Sequence, residues 1–110
     1  MEADLQARLE IRDAVAAMIQ NLQPLAQGKP EATTRGDDFN RVLERARSVF
    51  SASGAIQDLP KIEGVATLVD LLGKLSILGG AINADFSARS YAAAERHNKR
   101  VERQWREFNR

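Results

Sequence analysis

Apolar residues recur along this chain at helical spacing, in four stretches separated by turn-forming residues. In the first, Ile11, Val15, Met18 and Leu22 follow one another at steps of four, three and four, which puts them on one face of a helix. Leu5, Leu9, Ala16 and Ile19 widen that stripe, and Glu2 and Asp4 stand at the start, where the helix dipole favours acids. The pattern predicts a helix over about 4–23, ended by Pro24, which disfavours helical backbone at Gln23. Residues 24–37 (PLAQGKPEATTRGD) then read as a loop. A loop that long in a small domain is expected to be functional or mobile.

The second stretch places Phe39, Leu43, Ala46 and Phe50 on one face, with Val42 and Val49 beside them and Arg41, Glu44, Arg45 and Arg47 largely opposite. It predicts a helix over 38–53, capped at its start by Asp37 or Asp38 and at its end by Gly54. The third, expected over 59–78 with Pro60 in its first turn, is apolar over most of its circumference: Ile62, Val65, Leu68, Val69, Leu71, Leu72 and Leu75. Its polar stripe is narrow, made of Glu63, Thr67, Asp70 and Lys74. Such a helix is expected at the centre of a bundle. Gly79-Gly80 are expected to interrupt or end it, since each glycine costs about 1 kcal/mol inside a helix. The fourth helix is expected over 83–109. Tyr91, Ala94, Asn98, Val101, Trp105 and Phe108 recur there at alternating steps of three and four, the spacing of a coiled-coil seam.

The expected fold is therefore all-α: one domain spanning 1–110, a small four-helix bundle-like arrangement with a long C-terminal helix. Composition agrees. The 44% hydrophobic and 28% charged residues suit a folded chain, and at 5% aromatics the core must come mainly from aliphatic side chains.

Charge changes the picture at one end only. The chain carries a net charge of +1. Residues 1–88 hold 9 basic and 12 acidic residues, net −3; residues 89–110 hold 7 basic and 3 acidic, net +4. Arg96, Lys99, Arg100 and Arg103 cluster within a few turns, where with Asn98 they can meet phosphates. The plainer alternative is a solvated face laced by pairs such as Glu95 with Lys99 and Glu102 with Arg106.

Chemistry is sparse. There is no cysteine, and His97 is the single histidine, so thiolate–zinc sites and thiol catalysis are excluded and a His-based metal centre is not expected. Glu95 and His97 stand two apart and do not share a helix face. The segment LLGKLS lacks the upstream glycine and the preceding strand of a phosphate loop. No catalytic, cofactor or metal residues are assigned, no small-molecule substrate is evident, and the chain is read as not an enzyme. The acidic, polar start MEADLQ has no secretory pattern, so the expected setting is the cytoplasm.

The expected function is that of a non-enzymatic helical interaction protein: an adaptor, regulator or assembly subunit. Its C-terminal helix would bind a protein partner or a second copy through Tyr91, Asn98, Val101, Trp105 and Phe108. The first alternative is a nucleic-acid binder using Arg96, Lys99, Arg100 and Arg103. A weaker one is a membrane-active amphipathic helix at 62–82, against which Glu63 and Asp70 on its polar face argue.

Overall fold

The computed structural model describes residues 2–28 and 31–108, and the side chains of 4–28, 31–89 and 100–108. The order of elements is α1 (Glu2–Gly28), β1 (Thr33–Arg35), α2 (Asp37–Val49), α3 (Gly54–Gln57), β2 (Val65–Thr67) and α4 (Leu68–Phe108). The chain is mainly helical, as expected, but it is not built as four comparable helices. One helix of 41 residues replaces the third and fourth, a two-stranded sheet appears, and α3 is a single short turn.

Packing explains each departure. Gly79-Gly80 do not break α4, because α1 lies against it there. A Cβ on Gly79 would meet Val15 in ordinary van der Waals contact, 3.4 Å from a methyl, so α1 covers the helix at this point. Their contact outweighs the intrinsic cost of glycine. Nor does Pro24 end α1, which continues to Gly28 and buries Ala26 near its end.

The segment expected as the first turns of the third helix, residues 59–67, is not helical. Asn40 holds it at two points: its side-chain amide donates to the Ile62 carbonyl (2.8 Å), and its side-chain oxygen accepts from the Ile62 N–H (2.9 Å). After Gly64, in the left-handed region at φ 74°, β2 pairs antiparallel with β1, with Thr34 opposite Ala66. The loop expected over 24–37 is thus partly helix and partly strand. Thr67 then caps α4, its hydroxyl accepting from the Asp70 N–H at 3.1 Å. Two other expected caps are corrected. Neither Asp37 nor Asp38 caps α2: they occupy its first turn, preceded by Gly36, and Gly54 begins α3 rather than closing α2.

The core gathers Ile11 and Val15 of α1, Phe39, Leu43 and Ala46 of α2, and Leu71, Leu75, Leu78 and Ile82 of α4. Phe50, Ile56, Leu59 and Ile62 close it from the connecting segments. Gly36 is fixed by this closure, since a Cβ there would overlap the Ile62 side chain. Gly36→Ala is expected to cost about 2 kcal/mol through overpacking, read as a lowered midpoint in thermal denaturation. A Gly36→Ala chain as stable as the parent would show that the 59–64 segment can move aside freely.

Ion pairs tie the elements at the surface. Lys61 and Arg47 both reach Glu44 (3.1 and 2.8 Å) and hold its carboxyl below the usual range, the Lys61 hydrogen bond contributing most. The one charged side chain buried among the described residues is Arg8, 7% exposed. It donates to Asp4 (2.9 Å), to Asp85 of α4 (2.7 Å) and to the Val49 carbonyl (3.0 Å), and lies 4.6 Å from the centre of the Phe50 ring.

Candidate functional site: the exposed end of helix 4

Only the first half of α4 belongs to the core. Leu68, Leu71, Leu75, Leu78 and Ile82 recur at steps of three and four and face α1 and α2. The last packed turn carries Phe86, edge-on to Phe50 at 6.3 Å and with the Arg12 guanidinium 5.1 Å from its ring. Past Arg89 the helix continues to Phe108, and residues 100–108 are all exposed. At about 1.5 Å per residue, α4 is roughly 60 Å long, and it sets the longest dimension of the molecule, 69 Å.

The far end carries large apolar groups with nothing over them. Trp105 is 65% exposed and Phe108 82%. Their rings stack on each other, centroids 6.3 Å apart and planes 23° apart. Val101 and Gln104 complete a shallow groove with them. Stacking removes some ring surface from water, but most of both rings stays in contact with it. A grouped aromatic surface of this kind on a helix is what protein interfaces use as anchors.

The structure thus brings Val101, Trp105 and Phe108 of the expected seam together on one exposed surface. The side chains of Tyr91 and Asn98 lie outside the described residues, as do those of Arg96 and Lys99. Arg100 and Arg103 are exposed, with Glu102 and Glu107 interleaved among the basic residues of that end. Among the described residues no group of three or more His, Asp or Glu is placed to hold a metal ion, and no helix is long and apolar enough to cross a membrane. Of the leucines in the stretch read as a membrane-active alternative, Leu68, Leu71, Leu75 and Leu78 are buried here, and its first residues, 62–67, are not helical.

The sequence pattern missed an exposed apolar group on the folded half of α4. Val69 and Ile77, expected within the central apolar helix, are 54% and 55% exposed. With Leu59, Pro60, Gly73 and the Asp70–Lys74 ion pair they line a groove of about 390 Å³ on the side of α4 away from α1. An apolar circumference was legible in the sequence, but which part of it stays uncovered depends on how many neighbours the helix has. No family model, no curated protein and no solved structure matches this chain.

Proposed function

We propose that this chain is a non-enzymatic helical interaction protein, an adaptor, regulator or assembly subunit, that binds a protein partner or a second copy of itself through the C-terminal half of α4. One observation carries the reading: Trp105 and Phe108 stack on each other in water at the end of a helix that runs past its own core. Val101 adds to the same surface, and Tyr91 and Asn98 continue its spacing along the chain. Asn at one seam position is a familiar means of selecting register at some cost in stability. A cytoplasmic setting belongs to the same reading.

The test is the solution mass of the 12.2 kDa chain, by light scattering across a concentration series, beside Trp105→Ala. Truncating an aromatic anchor is expected to weaken association roughly 30-fold or more, about 2 kcal/mol, with helix content unchanged. A Trp105→Ala chain that associates as before, or that loses its fold, overturns the reading.

A second reading, nucleic-acid binding through Arg96, Lys99, Arg100 and Arg103, is favoured by the exposure of Arg100 and Arg103. It ranks below the first because phosphate recognition does not call for the aromatic pair. It would show as binding that falls steeply with salt.

A further inference from the structure

The three–four spacing of the C-terminal seam does not stop at Tyr91. Continued toward the start of α4, the alternating steps fall on Ser87, Ala84, Gly80, Ile77 and Gly73, and all five are exposed. None carries a charge. One uncharged stripe therefore follows the seam spacing along α4, exposed at Gly73, Ile77, Gly80, Ala84 and Ser87 and again at Val101, Trp105 and Phe108. The spacing itself is unbroken from the half packed on the core to the half beyond it. A strict seven-residue repeat drifts by about 20° per heptad on a straight helix, which a left-handed supercoil around a second helix removes.

The two halves of the stripe differ in size in a complementary way. The C-terminal half is bulky, with Trp105 and Val101. The N-terminal half is hollow: nothing lies within 4 Å of where a Cβ would stand on Gly73 or Gly80, and Gly73 opens the middle of the groove formed with Leu59, Pro60, Val69 and Ile77. We propose that two copies of this chain pair antiparallel along α4, each placing Trp105 in the groove over Gly73 of the other. This deepens the proposed function and rests on it.

The register follows from the repeat. Antiparallel helices set each first-type seam position against a second-type one. With Trp105 on Gly73, the succeeding layers match Val101 with Ile77, Asn98 with Gly80, Ala94 with Ala84 and Tyr91 with Ser87. Large residues meet small ones at three of these five layers, and medium or small meet their like at the other two. Glu102 comes alongside Lys74 of the second copy, so the flanking charges are opposite as well. A parallel pair would instead set Trp105 on Trp105 and Gly73 on Gly73, too wide at one end and hollow at the other. The antiparallel pair also uses the same surface on both copies, as a closed two-fold dimer requires.

The chain has no cysteine of its own, so engineered thiols report the pairing directly. Ile77→Cys and Val101→Cys are purified separately, oxidised alone, then mixed and oxidised together. In the antiparallel pair each single variant holds its two thiols roughly 36 Å apart along the helices, at about 1.5 Å per residue. The expected result is a disulfide-linked dimer from the mixture, at about tenfold higher yield than from either variant alone, since a disulfide needs Cα atoms within about 7 Å.

Efficient linking of Val101→Cys to itself would overturn the antiparallel register while leaving the C-terminal helix as the contact surface. A monomer mass for the parent chain at every concentration would overturn the pairing outright and assign that surface to a different protein. A dimer mass that Trp105→Ala does not change would overturn both the pairing and the function it rests on.

Discussion

Replacing Phe39 by alanine is expected to lower the unfolding free energy by about 3–5 kcal/mol. Its ring is fully buried, among the largest side chains in the core, and it sits at the start of α2, where it joins the cluster built from α1, α4 and the connecting segments. The loss has two parts: the transfer of the ring's apolar surface to water in the folding balance, and the cavity left behind. The cavity cannot collapse easily. Asn40, the next residue, is held to Ile62 at two points, and the Gly36 backbone lies against the same Ile62 side chain. A domain of this size has about 5–15 kcal/mol in total, so Phe39→Ala should leave a chain close to unfolding at physiological temperature. Urea denaturation of Phe39→Ala beside Phe39→Leu checks this. Leucine should recover about half of the loss. A Phe39→Ala midpoint within error of the parent would mean that the ring is not part of the cooperative core.

The second large effect is expected at Arg8, where Arg8→Ala should cost about 3 kcal/mol. The guanidinium joins three parts of the molecule: Asp4 on its own helix, the Val49 carbonyl at the end of α2, and Asp85 on α4. It also lies over the Phe50 ring, an attraction that grows as water is excluded. Removing the side chain leaves the Val49 carbonyl without that donor and uncovers Phe50 where the stem had packed. Asp85 suffers less. It is partly exposed and keeps Arg89 at 3.0 Å, so the cost stays below the upper range for breaking a buried pair.

Geometry gives a sharper expectation than the total. A lysine ammonium cannot reach three acceptors with the spread of a guanidinium, so Arg8→Lys should behave more like alanine than like the parent. Arg8→Met, which restores packing without a charge to desolvate, should recover part of the loss. The measurement is urea denaturation at low and at high salt. The cost of Arg8→Ala should change little between them, because a buried pair is poorly screened. Parent-like stability for Arg8→Lys would show that only a positive charge is needed there.

Arg8 also shows why parts of this molecule were hidden in the sequence. Asp4 and Arg8 have the i,i+4 spacing of a helix pair, but nothing in the sequence announces that Val49 and Asp85 share the site, because they come from distant parts of the chain. The strands were hidden for a different reason. Thr33-Thr34-Arg35 and Val65-Ala66-Thr67 contain β-branched residues that favour extended backbone, but three residues are too few to show a period of two. Each strand exists because the other pairs with it, and because Asn40 anchors the chain between α3 and β2 at Ile62.

Legible in residue spacing were the helical nature of the chain, the buried face of α2 through Phe39, Leu43 and Ala46, and the seam spacing that ends in Val101, Trp105 and Phe108. These are periodic features, and periodicity is a local property that any single helix displays. Packing between elements set the ends of α1 and the start and length of α4. Gly79 lies inside one continuous helix whose packed side rests on α1, and Pro24 lies inside another whose end buries Ala26. It also decided which side of an almost wholly apolar helix stays open to water. That depends on the number of neighbours a helix finds. α4 is packed on the side that carries Leu75 and Leu78, while Val69 and Ile77 on the other side remain uncovered.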